Sequence, residues 1–286
     1  TTVAEVLGVG AEGLGVEVVA YRPTERAVVR VTDSGDPIAY VKVVPPSRAG
    51  EIVRRHGSLI EAGVPAARIT VEDTSRGLLG LEVLRGPTFR ELIKADAPGW
   101  PDADEFAALG RALSGAAVPG PGPASRLTDG SLHARMLAAV LPETEARCDE
   151  LARRFDGAGV PPAVGTVHGD LHEGQVIVEG GRIVGLLDVD DAGPGAPVDD
   201  LANLIARLRF RAATGSTAVA RLDRYAAARR EAGRARHDIG RLVLHTAAAL
   251  VGLATGPFRI QAEGWRTTVS DLLGLAADLS MSELSA

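Results

Sequence analysis

The stretch T-V-H-G-D-L-H-E-G-Q-V-I-V-E-G-G-R-I-V-G-L-L-D-V-D-D-A-G-P-G-A-P-V-D-D-L, Thr166–Leu201, decides how the chain reads. A short apolar run, Val164–Val167, delivers His168-Gly169-Asp170 into a loop. A second run, Val176–Val178, leads into Gly180-Gly181, and a third, Ile183–Leu187, ends on Asp188. A Gly-Gly pair between two β-branched runs signals a two-residue hairpin, because primed turns need positive φ at both central positions. Such a hairpin folds the segment after Asp170 back alongside Asp188, so that Asp170, Gln175 and Asp188 can share one cleft. Two carboxylates with an amide oxygen between them are hard oxygen ligands suited to Mg²⁺, which is usually completed by waters and substrate phosphates. A carboxylate beside such a site can also accept a proton from a hydroxyl nucleophile. Residue types and spacing together point to phosphoryl transfer.

The succession H-G-D-L-H-E-G-Q, L-L-D-V-D-D and G-A-P-V-D-D-L-A resembles the catalytic core of the aminoglycoside phosphotransferase and choline kinase family, small-molecule relatives of the protein kinases. The resemblance implies an α+β, protein-kinase-like bilobal fold. Its smaller lobe, 1–84, is an antiparallel sheet with one helix that binds nucleotide; its larger lobe, 85–286, is mostly helical and carries catalysis and acceptor binding. ATP and Mg²⁺ are implied as cofactors, Asp170 as the catalytic aspartate that orients or deprotonates the acceptor hydroxyl, and Asp188 as a metal ligand. Gln175, the other implied metal ligand, stands where most of the group has Asn and keeps the amide oxygen on a chain one methylene longer. Gln at this place resembles the actinobacterial maltokinases and glucosamine kinases, which turns the expected acceptor towards a sugar or amino sugar. An aminoglycoside-type antibiotic is the alternative acceptor, and a nucleotide-binding module without catalysis the alternative class. Asp200, of D-D-L-A, is implied as a brace behind the catalytic loop. Asp199 and Asp200 also suit the first turn of a helix, where the dipole favours carboxylates.

Upstream, Gly15–Tyr21, Ala27–Thr32 and Ile38–Val44 read as Val-rich strands, and Asp33-Ser34-Gly35-Asp36 as a hairpin turn. Basic residues are almost all Arg; lysine occurs only at Lys42 and Lys94. Lys42 lies in the third strand, where the kinase-like plan carries a lysine on the ATP phosphates. The literal G-x-G-x-x-G at Gly8, Gly10 and Gly13 lies one strand too early for a phosphate loop, and no helix follows it, which excludes a dinucleotide fingerprint. The Arg22–Arg26 turn has the better position, with Arg26 as a phosphate contact. Ser47–Ala62 reads as a helix with one apolar stripe, on which His56 is a packed residue. The resemblance implies a Glu on this helix that pairs with Lys42; Glu51 is the nearest candidate, yet on a helical wheel it falls opposite the stripe, beside Arg54, Arg55 and Ser58. Arg68–Val71 and Leu78–Leu84 complete five strands. Residues 82–88 resemble the hinge, with the backbones of Glu82 and Leu84 placed to pair with adenine, and Thr88 caps a helix Phe89–Lys94.

Asp102–Leu113 and Leu132–Phe155 read as helical, the latter with a break at Pro142, and Pro119–Pro123 as a loop. Val198–Phe210 keeps helical spacing. From Ala218 onward helices are expected, including Ile239–Leu253 and Trp265–Leu279, separated by Gly256-Pro257-Phe258-Arg259. Acceptor contacts are expected among His172, Glu173, Asp190, His245, Glu263 and Trp265.

The chain has 286 residues, is 45% hydrophobic and carries a net charge of −6, which suits a sizeable core and gives no basic footprint for nucleic acid. No apolar run approaches the roughly 20 residues of a membrane span, and the first residues lack a basic segment followed by an apolar one. A cytoplasmic enzyme acting on a small hydroxylated acceptor is the expectation, with no membrane or nucleic-acid partner. The single cysteine, Cys148, has no partner for a disulfide and reads as an inert helix residue.

Overall fold

The computed structural model describes residues 5, 7–8, 12–215, 221–222, 224–227 and 239–281. Five strands form one antiparallel sheet: β1 (Leu14–Arg22), β2 (Arg26–Asp33), β3 (Asp36–Val43), β4 (Ile69–Asp73) and β5 (Leu78–Leu81), in spatial order β1-β2-β3-β5-β4. Asp33 pairs with Asp36 across a two-residue turn, and Ser34 and Gly35 both take positive φ, 52° and 93°, as a primed turn requires. β5 is buried along its whole length, whereas β1 lies at the sheet edge with Val16, Val18 and Tyr21 exposed. Gly13 immediately precedes β1, so the glycine motif lies before the first strand; Gly10 is outside the described residues.

Helix α1 (Pro46–Glu61) follows β3, started by Pro46, whose missing N–H costs nothing in a first turn. Its Ala49 and Ile52 pack on Val44 and Leu79 of the sheet, while Leu59 joins the core of the helical part. The next helix, α2 (Phe89–Lys94), opens with a capping box: Thr88 Oγ1 accepts from Glu91 N–H, and the Glu91 carboxylate accepts from Thr88 N–H at 2.7 Å. Phe89 is fully buried and sits 5.4 Å from Trp100 and 5.3 Å from Tyr225, ring to ring. Aromatic residues are 3% of the chain, and this cluster spends several of them on core rather than on a ligand platform.

The helical part continues with α3 (Ala103–Gly115), capped by Asp102, then α4 (Arg126–Val140), a 3₁₀ turn at Pro142–Thr144 and α5 (Glu145–Ala158). The break expected at Pro142 is present. β6 (Gly165–Val167) pairs with β9 (Gly193–Gly195), and β7 (Val176–Glu179) with β8 (Arg182–Leu186). Gly180 and Gly181 turn that second hairpin with φ of 55° and 86°. Three long helices close the chain: α6 (Pro197–Ala213), α7 (Ile239–Arg259) and α8 (Trp265–Met281).

The separator expected at Gly256–Arg259 is absent, and α7 runs through Pro257. Proline is costly in mid-helix; here it falls in the last turn, after buried Val251 and Ala254 have anchored the helix. α7 is the one described helix long and apolar enough to cross a membrane, and 61% of that stretch is buried in the fold. Part of the helical region expected after Ala218 lies outside the described residues. Two large clusters form the core of the helical part. One surrounds Phe89, Leu171, Val176 and Leu204; the other packs α4, α5, α7 and α8 through Leu137, Phe155, Leu250 and Leu273.

Candidate active site

Two short pairings bring the polar stations together. β6 leads into His168-Gly169-Asp170 while its partner β9 follows Asp188-Val189-Asp190-Asp191, so one sheet pair fixes the start of one loop and the end of the other. The loops then bond to each other: His168 Nε2 donates to Leu187 O at 2.8 Å, and Leu187 N–H donates to Gln175 O at 2.8 Å. His168 Nδ1 is left to accept from Asp170 N–H at 3.2 Å, which fixes the tautomer as Nε2–H.

Behind the first loop, Asp200 in the first turn of α6 accepts His168 N–H at 2.7 Å and Gly169 N–H at 2.9 Å. Burial, the largest influence, raises the Asp200 carboxyl above its ordinary value, against the pull of His168 and these two bonds. Asp199 points elsewhere: it caps α4 by accepting Arg126 N–H at 3.1 Å and holds His245 Nδ1 at 2.6 Å. One turn along α6, Asn203 Nδ2 donates to Asp170 Oδ1 at 3.1 Å and to Leu171 O at 3.0 Å. The Asp170 side chain is 48% exposed, with Arg207 at 3.5 Å and Arg126 at 3.9 Å from the same oxygen.

The second station is crowded with cations from the sheet part. Arg26 binds Asp188 with both terminal nitrogens, at 2.6 and 2.7 Å, and reaches to 3.6 Å from Asp190 Oδ2. Asp188 itself has φ of 57°, a left-handed conformation that Asp tolerates better than most residues and that aims its carboxylate at Arg26. Lys42 Nζ donates to Asp190 Oδ1 at 2.5 Å and lies 3.9 Å from Asp188. His56 of α1 places Nε2 3.1 Å from the same Asp190 oxygen and Nδ1 3.0 Å from Ala67 O. Asp190 is 2% exposed. Burial works to raise its carboxyl, but the His56 bond and the Lys42 ammonium prevail and hold it well below the usual carboxylate range.

Several expectations need correcting. Lys42 pairs with Asp190 rather than Glu51, because Glu51 faces Arg55 one helical turn along α1 and forms an ion pair with it. Arg55 instead crosses to the helical part, donating to Asp190 O at 3.1 Å and Pro121 O at 2.9 Å. Glu173 and His245 are 0% exposed, and His172 only 6%, so none presents a free surface to an acceptor. Glu173 is held by Arg211 at 2.5 Å and Arg90 at 3.2 Å, and ties the catalytic loop to α2 and α6. His172 Nδ1 accepts Gly174 N–H at 2.9 Å, and burial pushes its imidazole down to about 4. Trp265 packs on Phe258 at 5.2 Å, and Glu263 is exposed at the turn between α7 and α8; among the described residues neither contacts the Asp170 group.

Gln175 is half-buried, and its side chain makes no hydrogen bond among the described residues. At the hinge, Glu82 N–H and carboxylate are both taken by Arg68, at 3.0 and 2.9 Å. Leu84 packs on Gly185. A cavity of about 560 Å³ lined by Phe106, Leu113, Leu171, Val198 and Asp200 lies behind the catalytic loop; neither Asp170 nor Asp188 lines it, so it is not the reactive cleft.

Asn203, Arg207 and Arg211 are not singled out by the sequence, although their four-residue spacing marks one polar stripe along the helix. His56 was read only as packed, since nothing local marks its partner 134 positions away.

The phosphotransferase enzyme family model matches residues 22–238. Among solved structures, a thermostable mutant of aminoglycoside phosphotransferase APH(4)-Ia in a ternary complex with ADP and hygromycin B is 15% identical, with a TM-score of 0.64 and 98% of each chain covered. A choline/ethanolamine kinase family protein from Mesorhizobium loti is 13% identical, with a TM-score of 0.63, covering 98% of this chain and 94% of that one. The amicoumacin kinase hAmiN, in complex with AMP-PNP, Ca²⁺ and its ligand, is 17% identical, with a TM-score of 0.62 and 94% and 89% covered. No curated protein matches the chain by sequence.

Proposed function

The chain belongs to the phosphotransferase enzyme family, and on that premise we propose that it moves the γ-phosphoryl group of ATP to a hydroxyl of a small sugar or amino sugar. The observation that carries this reading is the pair of bonds from Leu187 to His168 and Gln175, which hold the Asp170 and Asp188 stations together. In the proposed step the acceptor oxygen bonds to the γ-phosphorus as the bond to the β-phosphate oxygen breaks. The hydroxyl proton passes to Asp170, and ADP leaves. Asn203 fixes the Asp170 carboxylate from one side, leaving its exposed half for the acceptor. Lys42 and Arg26, already at the cleft, bind the phosphates, and the main chain of Glu82 and Leu84 faces the adenine. Rate enhancement by such a site is mostly placement and electrostatics.

The residues fit Mg²⁺. Asp188, Asp190 and Gln175 offer hard oxygens, Asp190 Oδ2 is buried without a hydrogen-bond partner, and the Arg26 guanidinium already supplies a positive charge to both carboxylates. Among the described residues no three His, Cys, Asp or Glu side chains form a metal cage, which suits an ion that takes one or two carboxylates and completes its shell from phosphates and water. Asp188 and Gln175 would hold the ion. Bound there, it supplies charge neutralisation on the β- and γ-phosphates.

An aminoglycoside-type acceptor, as in the hygromycin B complex, is less well supported. The carboxylates that would attract its amines are engaged: Glu173 by Arg211 and Arg90, Asp190 by Lys42, and Asp191 by Arg48 at 2.6 Å. A binding module without catalysis is disfavoured by the joint presence of Asp170, Asp188 and Lys42. ADP release from Mg-ATP across neutral, amino and acidic sugars and several aminoglycosides tests the reading, with Asp170→Asn as control. Turnover with one acceptor class, lost in the variant, is expected; turnover undiminished by Asp170→Asn would overturn the catalytic assignment.

A further inference from the structure

The polar stripe on α6 is not spent evenly. Arg211 is committed to fully buried Glu173 at 2.5 Å, and Asn203 to Asp170 and Leu171. Arg207 lies between them. Among the described residues its one hydrogen-bonding contact is Asp170 Oδ1 at 3.5 Å, the outer limit of a hydrogen bond, and its Nε is buried without a partner. A guanidinium carries five N–H donors, so most of those on Arg207 are uncommitted, while its side chain remains 29% exposed. Arg126, on α4, approaches from the other side: it donates to Gly169 O and lies 3.9 Å from the same Asp170 oxygen.

Two guanidinium groups thus face one carboxylate that Asn203 already orients. Arg126 also lies within electrostatic reach of the buried Asp200 carboxyl, so Arg207 is the guanidinium of the two with the less local neutralisation. A half-buried surplus cation is costly unless something neutralises it, and a planar fork of N–H groups matches carboxylate or phosphate oxygens. A cationic acceptor at this place would meet like charge, which disfavours it.

We infer that the acceptor carries an anionic group, a carboxylate or a phosphate monoester, which Arg207 and Arg126 bind while its hydroxyl lies against Asp170. This rests on the phosphotransferase reading and, within it, favours sugar acids and sugar phosphates over neutral sugars and amino sugars. Arg207 is then a specificity-determining residue rather than a support for Asp170 alone.

The test uses matched sets with the whole chain: glucose, glucosamine, gluconate and glucose 6-phosphate, then glycerol and glycerate, with kanamycin as a polycation. Mg-ATP binding is measured on the same samples, and acceptor binding to AMP-PNP-loaded protein by melting temperature. The expected result is at least a tenfold kcat/KM advantage for anionic over neutral and cationic members. The carboxylate and phosphate arms identify which anion is taken. Arg207→Gln should raise KM for the preferred anion about tenfold with kcat within threefold, and Arg207→Lys should recover part of it. Preference for neutral or cationic acceptors overturns the inference, as does nucleotide binding with no anionic member bound or turned over. An Arg207→Gln loss confined to kcat and equal for every acceptor would reduce Arg207 to a positioning role and overturn it also. Failure to bind Mg-ATP at all would instead remove the phosphotransferase reading beneath it.

Discussion

The two aspartate stations are built in different ways. Asp188 and Asp190 take their partners from the sheet part: Arg26 on β2, Lys42 on β3 and His56 on α1, each more than a hundred positions away in sequence. Asp170 is held entirely within the helical part, by Asn203 and Arg207 of α6 and Arg126 of α4, over a loop braced by Asp200. Geometry on the phosphate side therefore depends on how the sheet part seats against the helices. Around Asp170 it is set by contacts within the helical part.

The largest effect should come from Asp170→Asn. It should lower turnover by roughly 10²–10⁴-fold, the usual share of a positioned general base, with Mg-ATP binding unchanged in titration calorimetry. Loss of nucleotide binding as well would show that the two stations are not separate. Next, Lys42→Met leaves buried Asp190 without its ammonium, and breaking a buried pair from one side costs about 3–5 kcal/mol. Thermal melts should show that loss, and limited proteolysis should place it in the sheet part rather than in α4–α8. A uniform opening of the whole chain would contradict the two-part picture.

Asp200→Asn replaces one acceptor oxygen by a donor facing a backbone N–H. It should cost about 1–3 kcal/mol and reduce kcat more than nucleotide affinity.

Acid should separate the stations too. His172 is held down to about 4 by burial, below its ordinary value of 6.5. The unfolded chain therefore binds more protons between those values, and the stability His172 contributes is full above pH 6.5, falls with acidification and is gone below about pH 4. Asp190, already lowered, should hold the phosphate side through most of that window. His172→Asn, whose amide oxygen can still accept Gly174 N–H, should flatten the melting-temperature loss between pH 7 and 5; an unchanged slope would assign it to other groups. The smallest effect is expected from Glu51→Gln. Its pair with Arg55 is partly exposed, and such pairs contribute about 0–1 kcal/mol. A collapse of nucleotide affinity in this variant would restore the Lys42–Glu51 pairing that the geometry contradicts.

Much of this was legible beforehand. The hairpin at Gly180-Gly181 followed from backbone conformation alone, and Lys42 and Asp188, singled out from the sequence, lie 3.9 Å apart. The helix boundary at Thr88 followed from capping chemistry, which is local. What failed was partner assignment. Glu51 is the first carboxylate on the helix that follows Lys42, yet Arg55 captures it one turn away. Glu173 and His172, polar residues in a loop, became buried supports because α2 and α6 close over them.

The sequence by itself determined the elements, the turns and the chemical groups at the strand ends, since propensity, φ restrictions and caps act over a few residues. Only the tertiary structure decided that Lys42 serves Asp190, that Asp199 serves His245, and that two arginines face Asp170. Those pairings join residues tens to more than a hundred positions apart. Which cation meets which carboxylate there is set by the seating of helices against a sheet, through packing that no local pattern records.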